Sequence, residues 1–289
     1  MLLLKTSTRA LLPVFRNSCI AVIACSWSWA AQAEPTTKTD EISSVKVVEP
    51  TIDTATIPAT TEITAISDPF LPCTNTLNYR FFYKDNHVGN IQRKQIWEGK
   101  RVKMSTTGDV SFLMFDFTGK HQSQIYWNAN QQQFLTREFI QDVQGLSRTQ
   151  MTATFSDNGL LSKVVLNGEA LEFSDLHSPI LDFEAISMQM RQNLMDKKTS
   201  FDFVMQRSDE VSHYYFDVIG EESVEVMGKR YQTIKVQQVK KKDRKLYFWF
   251  APDLDYQLVK STYKRKIIDI EANLSKLDLG CSKTPKAAS

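Results

Sequence analysis

Between Leu77 and Leu274 apolar and polar residues change places at nearly every step, and turn-forming residues interrupt the alternation about every ten positions. Successive side chains of a strand point to opposite faces, so such a chain buries one face and wets the other. Leu77, Tyr79, Phe81 and Tyr83 open the pattern, and Asn86 marks a turn. A second strand is predicted from Ile91 to Trp97, and Glu98-Gly99-Lys100 turns into a third through Val102 and Met104. Gly108-Asp109 and Gly119-Lys120 read as further turns, setting off Val110 to Phe117 and Ile125 to Trp127. Later strands are predicted at 134–140, 149–155, 161–166, 200–206, 214–219, 223–226, 231–239, 245–250, 257–264 and 267–274. Short strands at this spacing predict a mainly β fold, an antiparallel meander forming a curved sheet or partly closed barrel.

One segment breaks the rhythm. Ser178-Pro179 resembles an N-cap followed by proline in a first helical turn, and Lys197-Lys198 suit a helix C-terminus. Phe183, Ile186, Met190 and Leu194 recur at three- and four-residue spacing, which predicts one amphipathic helix of about four turns packed on the sheet. Tyr247, Phe248, Trp249 and Phe250 are apolar on both faces of their strand, and Met188, Met190, Met195 and Met205 cluster around the helix. These residues suit an irregular helix-on-sheet core, or an adaptable apolar cavity. On the second reading Phe183, Ile186, Met190, Leu194, Phe248 and Phe250 would line a ligand site.

Compartment is legible at the N-terminus. Lys5, Arg9 and Arg16 precede an apolar run from Cys19 to Ala31, closed by Ala31-Gln32-Ala33, so residues 1–33 read as a cleaved signal peptide. That run falls short of the ~20 residues a membrane span needs. An alternative is lipidation at Cys25 of Val22-Ile23-Ala24-Cys25, with Trp27 and Trp29 at the membrane interface. Residues 34–72 are a Thr/Pro-rich stretch without the large apolar residues that offset chain entropy, and are expected to be a disordered linker. A single β-rich domain is expected over 73–282, with a disordered tail at 283–289. The leader holds three of the 35 Lys and Arg residues and none of the 33 Asp and Glu residues, which leaves 32 against 33 beyond it, or −1. So balanced a chain has no global pull toward nucleic acid. Of four cysteines, Cys73 and Cys281 lie outside the leader and bracket the predicted domain, and an oxidising periplasm would join them.

Chemistry is sparse. His87, His121, His177 and His213 share no metal-ligand spacing, and the nucleophile-elbow, phosphate-loop and zinc-helix motifs are missing. The sequence therefore predicts neither catalysis nor a metal or cofactor. The strongest charge run is Lys240-Lys241-Lys242-Asp243-Arg244-Lys245. It reads as a solvated hairpin tip that discourages edge-to-edge sheet pairing, or as a contact with an anionic membrane surface. A monomer is expected.

Gly220-Glu221-Glu222, Gly228, Trp249-Phe250-Ala251-Pro252-Asp253-Leu254 and Val259-Lys260 resemble, in order, a group of exported bacterial proteins, the domain-of-unknown-function family 3108. Leu181-Asp182-Phe183-Glu184-Ala185-Ile186-Ser187 with Arg191, and Tyr83 to Gly89, are similar to the same family, so the resemblance spans about residues 75 to 280. A proline expected between Tyr256 and Val259 is replaced by Gln257 and Leu258. The resemblance implies a periplasmic, mainly antiparallel β domain with no established activity and no catalytic residues to carry over. Its architecture is more distantly similar to lipoprotein carriers, in which a curved sheet capped by helix encloses a hydrophobic cavity. Two functions follow as expectations: binding of a lipid or other hydrophobic ligand without catalysis, or a structural or adaptor module for another envelope protein or an anionic surface.

Overall fold

The computed structural model describes residues 72–112 and 115–281. The expected signal peptide, the Cys25 alternative, the expected linker and the expected tail therefore lie outside the described residues.

Eight strands come first: β1 (Cys73–Tyr83), β2 (Asn86–Glu98), β3 (Arg101–Phe112), β4 (Phe115–Asn128), β5 (Gln133–Gln144), β6 (Thr149–Ser156), β7 (Leu161–Leu166) and β8 (Glu169–Ser174). A two-residue strand β9 (Ile180–Leu181) leads into the helix α1 (Phe183–Met195). The chain then returns as β10 (Ser200–Gln206), β11 (Val211–Val226), β12 (Lys229–Val239), β13 (Lys245–Ala251), β14 (Gln257–Arg265) and β15 (Ile268–Leu279). All 15 strands form one sheet in the order β8-β7-β6-β5-β4-β3-β2-β1-β15-β14-β13-β12-β11-β10-β9. The first and last long strands pair in the middle, Tyr79 opposite Leu274 and Phe81 opposite Ala272. The Cys73–Cys281 disulfide closes this seam across 208 residues of sequence.

Register shifts curl the sheet, because an extra residue bends the bulged strand and raises its twist. They occur at Gln124/Ile125 in β4, Val218/Gly220 in β11 and Trp249/Phe250 in β13. Gly220 sits at the β11 bulge with φ +141°, a conformation that side chains rarely adopt. At the far ends of the order, the Ser162 hydroxyl donates to Gln206 from β7 to β10, and His213 Nε2 lies 3.3 Å from Asp175 Oδ2. The barrel is thus nearly closed by side chains where backbone pairing stops.

The expected turns at Gly108-Asp109 and Gly119-Lys120 do not form. Both pairs lie inside long strands, where Gly108 faces Gly119 across β3 and β4. Space explains the glycine: a Cβ on Gly108 would come within 2.7 Å of the Ile91 side chain. The segments expected at 214–219 and 223–226 are likewise one bulged strand, β11.

The helix also differs from expectation. Asp182 caps it, while Pro179 precedes β9 and Ile180 pairs with Val204. It is also buried more fully than an amphipathic stripe requires: every residue from Phe183 to Met190 is buried, followed by Asn193 and Leu194. The helix lies within the barrel. Its apolar side chains join Val102, Met104, Leu135, Phe139, Phe216 and Phe248 in one core. A second core forms around Leu77, Leu274, Val224, Tyr231 and Trp249.

Candidate functional site

Burying the first two turns of a helix also buries their polar residues, and each must then find a partner. Asp182 shows how. Its Oδ1 accepts from the backbone N–H of Glu184 at 2.6 Å and of Ala185 at 3.1 Å, which supplies the N-cap. Its Oδ2 accepts from the hydroxyls of Ser123 on β4 and Thr136 on β5, both at 2.7 Å. The Asp182 backbone N–H in turn donates to Thr136 Oγ1 at 3.0 Å. Burial pushes the Asp182 carboxyl up to about 6, against the pull of its hydroxyl donors. One carboxylate therefore holds the helix start, β4 and β5 together.

Two residues on, Glu184 forms an ion pair with Arg93 of β2, and the side chains are only 1% and 9% exposed. Thr106 Oγ1 of β3 donates to Glu184 Oε1 at 2.6 Å. Tyr79 of β1 donates its hydroxyl to the Leu258 carbonyl at 2.9 Å, and burial raises that phenol to about 12, with Arg93 opposing. Further along, Gln189 Oε1 accepts from the Phe134 backbone N–H at 2.8 Å, and Gln189 Nε2 donates to Asn193 Oδ1 at 2.9 Å. Arg191 Nε donates to the Asp255 carbonyl at 2.6 Å, and the same guanidinium pairs with the Asp255 carboxylate. Asp255 lies in left-handed backbone after the 3-10 turn Pro252–Leu254, which ends β13. The Trp-Phe-Ala-Pro-Asp-Leu signature thus makes the expected corner, and this corner also clamps the helix.

Beside the first turn of α1 lies a cavity of about 40 Å³. Tyr79, Phe81, Ile91, Phe183, Leu258 and Ala272 form its apolar wall, with Arg93, Thr106, Glu184 and Ser261 as polar groups. Arg93 Nε has no hydrogen-bond partner. The space has room for a few waters, and is far below the ~150 Å³ of a benzene-sized cavity or the roughly 300–1,000 Å³ of ligand clefts.

All six residues expected to line a ligand site, Phe183, Ile186, Met190, Leu194, Phe248 and Phe250, lie in one core at 8% exposure or less. Of these only Phe183 borders the cavity. The polar set Arg93, Thr106, Ser123, Thr136, Asp182 and Glu184 was not foreseen. A signal existed in the alternation, since Arg93 falls between Ile91 and Gln95 on the buried phase of β2. A buried cation demands a partner.

His121 shares that inner face and is 1% exposed, with neither ring nitrogen hydrogen-bonded. Its ring lies edge-on to Phe139 and Phe183, and burial drives it down to about 3, so it is neutral at ordinary pH. Among the described residues no group of three His, Cys, Asp or Glu side chains could hold a metal, and no helix is long and apolar enough to cross a membrane. The basic run is partly neutralised: Asp243 pairs with Arg244 at 2.8 Å and with Arg265 at 2.8 Å.

Fold and site together define a barrel-like β module whose interior is occupied by a helix moored through buried charges. The chain belongs to the family described as protein of unknown function DUF3108, whose model matches residues 77–274. Among solved structures, it is similar to a β-barrel-like protein of domain of unknown function DUF1849 from Brucella abortus. That likeness has a TM-score of 0.49 at 11% identity and covers 72% of this chain and 98% of the other. No curated protein matches.

Proposed function

We propose that the protein is a non-catalytic module of the bacterial cell envelope that acts through its outer surface, as a structural or adaptor unit. The observation that carries this reading is the position of α1. The volume in which a carrier would hold its ligand contains a helix whose side chains are close-packed with both halves of the sheet. The Cys73–Cys281 bond supports an exported, oxidised protein, because thiols stay reduced in the cytosol. A catalytic role finds little support in the buried groups. Asp182 and Glu184 spend their oxygens on the fold, and His121 is sealed between two phenyl rings.

The alternative is binding of a lipid or other hydrophobic ligand at Phe183, Ile186, Met190, Leu194, Phe248 and Phe250. One observation favours it: the cavity at Phe183 has an apolar wall and an arginine with a spare donor, which would suit an amphiphile with an anionic head. An acyl chain would fit only if α1 moved away from β5 and β10. Titration with a fluorescent fatty acid tests the two readings. The adaptor reading expects no saturable binding up to tens of micromolar, and stoichiometric binding lost in Phe183→Asp would overturn it.

A further inference from the structure

Three turns lie side by side at the end of the barrel opposite the disulfide. They are Lys84-Asp85 between β1 and β2, residues 240–244 between β12 and β13, and Lys266-Ile267 between β14 and β15. Strand register brings them together: Tyr83 is opposite Ile270, Arg265 opposite Ile268, and Lys245 opposite Lys264. Direct contacts join them as well. The Lys84 N–H donates to the Asp269 carbonyl at 3.1 Å, and Arg265 reaches Asp243 at 2.8 Å.

Over 84–85, 240–245, 264–266 and 269 this rim carries nine Lys and Arg residues against three Asp, in a chain whose overall charge is only +2. The internal pairs consume two of those carboxylates. Asp243 holds Arg244 and Arg265, and Asp269 holds Lys264. The ion pairs of the described residues leave out Lys84, Lys240, Lys241, Lys242, Lys245 and Lys266. All six are exposed except the half-buried Lys241. Lys240 is held with its ammonium 3.4 Å from the Tyr215 ring centroid. Amid these cations Ile267 is 72% exposed.

An edge-guarding role does not account for the cluster. Lysines protect a sheet by sitting on its unpaired strands, and the edges here are β8 and β9. The three turns join strands that are paired on both sides. Crowding so many like charges costs self-repulsion that an opposing surface would relieve. We propose that this rim docks on an anionic lipid surface, with lysines at the headgroups and Ile267 inserted among them; this names the partner of the outward-acting module proposed above. Four to eight clustered cations are what anionic headgroups attract, and a solvent-facing aliphatic tip gains from the interface what it cannot gain in water. An acidic protein would match the charge but would leave Ile267 unexplained.

Sedimentation of the protein, isolated after export, with phosphatidylcholine vesicles that contain or lack phosphatidylglycerol tests the proposal. The wild type is expected to bind only the anionic vesicles and to be released by about 1 M salt, where the screening length falls to about 3 Å. The exposed triple variant Lys242→Glu, Lys245→Glu, Lys266→Glu should lose about 100-fold in binding with an unchanged urea midpoint. Ile267→Ser should weaken binding severalfold and keep the salt dependence. Equal binding to neutral vesicles, no binding to either, or full binding by the triple variant would overturn the proposal. So would rim-dependent capture of an acidic envelope protein without vesicle binding. Any of these results leaves the filled-interior reading standing, because fatty-acid titration decides that separately.

Discussion

Cutting one end of the Arg93–Glu184 pair offers a quantitative test of how α1 is moored. Both side chains are withdrawn from water, at 9% and 1% exposure. In Arg93→Met the Glu184 carboxylate stays buried with the Thr106 hydroxyl as its remaining partner. Stranding a buried charge in this way costs about 3–5 kcal/mol. Glu184→Gln strands the guanidinium instead and keeps an acceptor for Thr106, so a loss in the same range of about 3–5 kcal/mol is expected. The double variant removes both charges and keeps the Thr106 bond. Neutral replacement of a buried pair is often without penalty, so the double should fall within about 1–2 kcal/mol of wild type. Equilibrium urea unfolding followed by tryptophan fluorescence reads all four proteins, with stability taken from midpoints at constant slope. Single variants that each cost under about 1 kcal/mol, with additive effects, would refute this mooring.

Asp182→Ala removes the cap and strands the Ser123 and Thr136 hydroxyls, so thermal unfolding should show a loss of roughly 3 kcal/mol or more. Asp182 titrates at about 6 in the fold against an ordinary 3.8, so the native state binds the extra proton. Its contribution is therefore full below about pH 4 and is lost as pH rises through 6, and this slope should vanish from pH-dependent melts of Asp182→Asn. His121 has the opposite sign: it is held near 3 in the fold against an ordinary 6.5, so it withdraws stability as pH falls below 6.5. His121→Phe should abolish that loss and be neutral or stabilising by about 1–2 kcal/mol at pH 7, measured as a urea midpoint. Cys73→Ser with Cys281→Ser should cost up to about 5 kcal/mol, the chain-entropy value for so long a loop, in the same assay.

The period-two pattern carried the fold because it reports burial, and burial chooses the face of a strand. Where it misled, the residues answered to distant neighbours. Gly108 and Gly119 look like turn residues, yet one makes room for Ile91 and they face each other across a ladder. Ser178-Pro179 has the form of a local cap, but the working cap at Asp182 depends on hydroxyls 46 and 59 positions earlier in the chain. The apolar half of the candidate site was visible from the 183, 186, 190 and 194 spacing. Its polar half was not, because Arg93, Thr106, Ser123 and Thr136 stand on four strands that only the meander assembles. The basic run was plain in sequence. Its neighbours Lys84 and Lys266 joined it only once β1, β14 and β15 were in register.

Whether the barrel is filled is decided by native mass spectrometry of the protein purified without detergent. A filled barrel predicts the mass of the bare oxidised chain, with no adduct in the range of a fatty acid or phospholipid. A stoichiometric lipid adduct that survives in the rim variant and disappears in Phe183→Asp would contradict it.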